Sequence, residues 1–102
     1  MSITQGTVSS SGTAVYTSTN ATAITAVFLM NDHSGTVVID VHVVKSGGSA
    51  AASNKIIKSL SINAADSYVL DTEKLLLDNG DFLYVNADVD AVVHATISHI
   101  GL

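Results

Sequence analysis

Gly35-Thr-Val-Val-Ile-Asp-Val-His-Val-Val-Lys-Ser46 is the stretch whose reading decides the fold. Its apolar residues recur at every second position: Val37, Ile39, Val41 and Val43 share one face, and Val38, Asp40, His42 and Val44 share the other. A period of two is the signature of a pleated strand, because successive side chains leave it on opposite sides. Val89–Gly101 repeats the pattern, with Val93, Ala95 and Ile97 facing one way and His94, Thr96 and Ser98 the other. Working outward, Ile3–Ser9, Ala14–Ser18, Ala21–Asn31, Asn54–Ile62, Tyr68–Leu70, Lys74–Leu77 and Phe82–Ala87 read as further strands. Gly, Asn, Asp and Ser cluster between many of them, at Asn31–Gly35, Ser46–Ser49, Asn63–Asp66, Asp78–Asp81 and Asp88–Asp90. These residue types favour turns because they tolerate positive φ or bond their own backbone. Short strands at this spacing predict an all-β chain. The expected fold is one β-sandwich or jelly-roll domain of about eight antiparallel strands over residues 1–102.

Composition supports strands. Val, Ile and Thr number 31 of 102 residues, and β-branched side chains lose less on a pleated surface than in a helix. Helical stretches are limited to Ala50–Ser59 and Thr72–Leu77, neither long enough for three turns. Residues Met1–Gly12 carry no charged side chain and read as an edge strand or a partner-contacting arm. The expected core is Val27, Leu29, Val37, Ile39, Val41, Val43, Leu60, Ile62, Leu75, Leu77, Phe82, Val85, Val93 and Ile97.

Charge narrows the functional classes. Four Lys and no Arg face nine acidic residues, for a net charge of −5. Direct binding to nucleic acid is not expected, since phosphate contacts need clustered cations. Without Cys there are no disulfides, thiolate metal sites or thiol nucleophiles. No apolar run approaches membrane-spanning length. The first cation is Lys45, so the basic region of a secretory signal is lacking and synthesis in the cytoplasm is expected.

Three groups of residues invite chemistry. Asp40, His42 and His94 would converge if their two strands were neighbours, but three or four ligands at bonding distance are needed for a metal. The more economical reading is polar residues on outward strand faces. His33 reads as a turn residue, and His99 as facing either the core or a subunit contact, with the contact preferred. Asp78-Asn-Gly-Asp81, with Asp88 and Asp90, offers oxygen ligands, yet the spacing is not that of a calcium loop. A tight hairpin with Gly80 at positive φ explains the first four residues better. Ser46-Gly-Gly-Ser49 lacks the Lys-Ser/Thr ending of a phosphate loop, and there is no Gly-x-Ser-x-Gly elbow. No catalytic, cofactor or metal residue is assigned, and an enzyme is not expected.

What remains is a surplus of apolar surface. Val38 and Val44 fall on the face that should be solvated, and Val92 and Ile100 add to it. Apolar patches left uncovered usually mark interfaces, and unpaired edges need covering when no Pro and few Lys blunt them. Self-association resolves both, with Ser2, Ile3, Thr4, Val8, Val38, Val44, His99 and Ile100 as the candidate interface residues.

The C-terminal half also carries a resemblance. Asn54–Leu70 is an apolar strand with basic residues and a polar turn, Lys74–Asp81 contains Leu-x-x-Gly-Asp, and Val92–Gly101 contains Ala-Thr-Ile-Ser-x-Ile. With the Ser/Thr-rich and Ala/Thr/Ile strands of Ala14–Asn31, these stretches resemble a group of small virion proteins of tailed bacteriophages. The resemblance implies a non-enzymatic structural role in the virion, as a homotrimeric capsid decoration (cement) protein bound to the major capsid protein or another virion component. It equally admits a tail, neck or fibre-attachment subunit. A carbohydrate-binding β-sandwich is the alternative from another class; with Phe28 and Phe82 read as buried, it requires an exposed pair among Tyr16, Tyr68 and Tyr84.

Overall fold

A computed structural model of the chain describes residues 2–70 and 75–102. Nine strands follow in order: β1 (Ser2–Val8), β2 (Thr13–Thr17), β3 (Thr22–Asn31), β4 (Val37–Val44), β5 (Lys55–Ile62), β6 (Ser67–Leu70), β7 (Leu75–Leu77), β8 (Phe82–Ala87) and β9 (Val93–Gly101). The only helical element among the described residues is a single 3-10 turn, Ala52–Asn54. Of the two possible helical stretches, Ala50–Ser59 therefore contributes that turn and then becomes β5. Leu75–Leu77 is strand, and Thr72 and Lys74 lie outside the described residues.

All pairings are antiparallel and fall into two sheets. The first sheet runs β1-β9-β3, and β3 then takes β6 along Val27–Met30 and β7 along Thr22–Ile24. The second runs β2-β8-β4-β5. β6 and β7 thus occupy one strand position between them. Numbering positions that way, the sheets read 1-8-3-6 and 2-7-4-5, the winding of a jelly roll. The chain is an all-β, single-domain sandwich whose two sheets share one core.

The core is a layer of aliphatic side chains between the sheets. Val8, Val27, Leu29, Val93, Ala95 and Ile97 enter it from the first sheet, and Val37, Ile39, Val41, Leu83, Val85 and Ala87 from the second. Val43, Leu60 and Leu75 pack half-buried at its margin. Phe82 is a correction: in β8 the alternation sends Leu83, Val85 and Ala87 inward, so Phe82 shares the outer face with Tyr84 and Asn86. Ile24 enters the core despite its even number, because β3 slips register against β9 between Ile24 and Ala26. A β-bulge of this kind swaps the face of every residue beyond it.

One local reading changes. Gly80 does have positive φ, at 88°, but Asp78–Asp81 is not a hairpin: β7 lies in the first sheet and β8 in the second, so the turn crosses the sandwich. Of the two readings of Met1–Gly12, edge strand or contacting arm, the structure shows an edge strand over Ser2–Val8. β1 pairs with β9 from Ser2↔His99 to Val8↔Val93 without interruption, and Val8 is fully buried.

Burial in this layer sets the expected cost of truncation. Ile97→Ala should lower stability by about 2–5 kcal/mol and Phe82→Ala by clearly less, as cavity cost follows burial. Chemical denaturation of both variants checks this, and equal losses would contradict the assigned faces. Removing residues 2–8 should unfold the domain, seen as loss of its β circular dichroism, because β9 would lose one of its two partner strands and the core its Val8.

Candidate functional site

The fold keeps apart the polar residues that the sequence suggested as a converging set. β4 and β9 belong to different sheets, so Asp40 and His42 do not meet His94. Asp40 instead accepts from the Ser59 amide at 2.7 Å and pairs with Lys55 at 3.6 Å. His94 sits against Thr7 Oγ1 at 3.2 Å, with Asp32 at 4.0 Å. No group of three or more metal-ligating side chains occurs among the described residues. His33 sits in a turn closed by its own amide donating to Asn31 Oδ1 at 2.8 Å. Asn31 is fully buried, and its Nδ2 donates to Ile62 O at 2.9 Å and to Gly35 O at 3.0 Å, tying the end of β3 to the opposite sheet.

Asp81 is likewise a structural clamp. One carboxylate oxygen accepts from the Ser46 amide at 2.9 Å and the other from the Asp78 amide at 2.9 Å. Its backbone accepts from the Ser18 amide at 2.9 Å, so three crossing loops meet on this residue. The Ser46 bond, then the Asp78 bond, hold its pKa below the ordinary 3.8, assisted by the charge of Lys45 and opposed by partial burial.

The outer faces of the two sheets differ sharply. Over the second sheet, residues 45–54 fold back across β4. His42 is 5% exposed, and its Nδ1 donates to Asn54 Oδ1 at 2.9 Å and to Ala51 O at 3.1 Å. Two oxygen partners require that this nitrogen carry the proton. Asn54 completes the cover, accepting from the Ala51 amide and donating to Ser49 O. Beneath it Val44 is 1% exposed, in reach of Gly48. Beside it Tyr84 donates to Ser11 O at 2.8 Å, and Gly12 has to be glycine because a side chain there would collide with the Tyr84 ring. These contacts cover the centre of this face, and Ile56 on β5 is the large apolar side chain left exposed in the second sheet.

Among the described residues, nothing covers the first sheet in the same way. Its outward side chains form cross-strand rows: Ile100, Ala23 and Leu76; Ile3, Ser98 and Ala26; Gln5, Thr96, Phe28 and Val69; Thr7, His94, Met30 and Ser67. Ile3, Phe28, Met30, Val69, Leu76 and Ile100 are all exposed there, Leu76 at 71% and Phe28 at 42%. Among the described residues of these rows no Asp, Glu or Lys occurs, and His94 is the one titratable group. Six exposed apolar side chains on one uncharged sheet face are what a partner-binding surface requires.

The expected interface residues distribute unevenly over this picture. Ile3 and Ile100 lie on the uncovered face, and Ser2 is exposed at its corner. Val8 and Val44 are buried inside the chain, one in the core and one under residues 45–54, so neither meets a partner. Thr4 and His99 point inward at the sandwich's end, bonded to each other at 2.9 Å, with the His99 ring 4.3 Å from that of Tyr16. Val38 is half-buried on the second sheet. Phe28, Met30, Val69 and Leu76, the largest part of the surface, went unassigned from sequence. Phe28 was read as buried; it is exposed, while Tyr16, Tyr68 and Tyr84 are all half-buried. The exposed tyrosine pair that sugar stacking would require is not found.

Comparison with known proteins returns no match to a family model, a curated sequence or a solved structure.

The depressed Asp81 carboxyl gives a pH prediction. A group whose folded pKa lies below its unfolded value adds stability above the unfolded value and loses it as pH falls through the folded one. Asp81→Asn should therefore melt below the wild type at neutral pH, with the gap closing as the pH drops below 3.8. Thermal melts across that range test it; a gap independent of pH would contradict the clamp's ionic character.

Proposed function

We propose that this chain is a non-enzymatic structural subunit of a tailed-phage virion, in the particular form of a homotrimeric capsid decoration protein. The observation that carries the reading is the uncharged outer face of the first sheet, with Phe28, Met30, Val69, Leu76, Ile3 and Ile100 exposed together. Burial of that face against sister copies and the shell removes apolar surface from water at roughly 25 cal/mol per Å². Among the described residues of its rows no Asp, Glu or Lys stands in the way of like-charged copies approaching. The jelly-roll winding, a fold used by viral capsid proteins among others, is compatible with this role without specifying it. The resemblance of Asn54–Leu70, Lys74–Asp81 and Val92–Gly101 to small phage virion proteins supplies the virion assignment and the trimer. Tail or neck attachment would use the same surface and differs in copy number per particle.

Light scattering after gel filtration tests the assembly. The expected mass at micromolar concentration is three times 10.5 kDa. Phe28→Asp and Leu76→Asp, both at exposed positions, should reduce it to one copy without loss of the β spectrum. A wild type that stays monomeric throughout would overturn the reading. Capsids of the source phage stripped of this chain should regain it on mixing, and their failure to do so would move the subunit off the shell.

A further inference from the structure

The sandwich has four free strand edges, and three of them are blunted. β2 is five residues long and carries a bulge between Ala14 and Tyr16. β5 carries Lys55 and Lys58, slips register twice against β4, and has Ser59 at a φ of 54°. The fourth strand position of the first sheet is broken into β6 and β7, of four and three residues. Short, bulged and Lys-bearing edges are the devices that keep sheets from adding strands.

β1 has none of them. Its seven residues, Ser-Ile-Thr-Gln-Gly-Thr-Val, pair with β9 in unbroken register on one side and, among the described residues, with no strand on the other. It bears no charge, no Pro and no bulge, and Ile3 is 68% exposed. The surrounding chain is uncharged too: no Asp, Glu, Lys, Arg or His side chain occurs from Met1 to Asn31. Every charged side chain of this acidic protein lies at or beyond Asp32.

We infer that β1 is a self-pairing edge: it adds antiparallel to β1 of a second copy across a two-fold axis through Gln5. In that register Ile3 lies opposite Thr7, Thr4 opposite Gly6, and Ser2 opposite Val8 of the other copy. The occupant is a second copy because the edge is self-complementary in charge. A partner bearing the same −5 meets no like charge along these seven residues, whereas β5 would set Lys against Lys. The pairing is also continuous with the uncovered face. Ile3, Gln5 and Thr7 belong to its rows, so two copies joined at β1 present one apolar surface across a doubled first sheet. Main-chain bonds supply the attachment and the alternate side chains its register. Being two-fold, this contact cannot close a trimer; in a trimeric particle it joins one trimer to the next. It extends the proposed assembly but rests on a separate observation.

The test uses the chain's lack of cysteine. Directly opposed residues in antiparallel strands have Cα atoms about 4.5–5.5 Å apart, within disulfide range. Gln5→Cys should therefore form a covalent dimer under mild oxidation at least about tenfold faster than Ala14→Cys, an exposed position on the bulged β2 edge, because pairing raises the local thiol concentration. Both sites are exposed, so both variants should fold, which circular dichroism checks. Equal slow rates in a protein that still shows its multimeric mass would overturn the edge pairing and leave the assembly reading standing. A protein monomeric at every concentration would overturn both.

Discussion

The structure depends on a single layer of aliphatic side chains trapped between two sheets. All sixteen buried residues of that layer are Val, Ile, Leu or Ala. Such a layer is thin, and a chain of this size buries only about two-thirds of its unfolded surface. The jelly-roll winding follows from the need to close it: β9 inserts between β1 and β3, and β8 between β2 and β4, so residues distant in sequence complete each inner face. Polar crossings hold the sheets in register, with Asn31 at one end and Asp81 at the other.

A thin interior leaves each sheet with an outer face to settle, and the two are settled differently. The second sheet recruits its own β4–β5 connection, fastened through the His42 ring and Asn54. That arrangement hides Val44 and spends a histidine on architecture rather than chemistry. Among the described residues, the first sheet has no such cover over Phe28, Met30 and Leu76. The same imbalance runs through the edges, where β5 is charged and bulged while β1 is neither. Uncovered apolar face and unprotected edge adjoin one another at Ile3. The proposed assembly role would account for that coincidence, because water and like charge are the two things a subunit contact has to exclude.

Much of this was legible beforehand. Strand alternation located every strand to within a few residues, and the turn residues separated them, because both signals are local. The surplus of apolar surface was legible too, but its position was not. Val44 belonged to the surplus until residues 45–54 covered it, and Phe28 counted as buried until pairing with Thr96 and Val69 fixed its outward face. Phe82 failed for a related reason: a short strand with apolar residues on both faces, Phe82 and Tyr84 against Leu83 and Val85, does not announce which parity faces in. Val8 and His99 were read as contacts because nothing in their neighbours reveals the strand that packs beside them.

The amino-acid sequence by itself determined an all-β sandwich, a charge-free beginning and an apolar excess, since periodicity, composition and turn chemistry are properties of neighbouring residues. Only the tertiary structure decided which sheet carries that excess, which edge is left open and which histidine is locked beneath a loop. Those outcomes depend on pairings such as Ser2 with His99, ninety-seven positions apart, and on bulges that reverse a strand's faces. No local pattern encodes them, because the partner strand, not the strand itself, fixes which side is hidden.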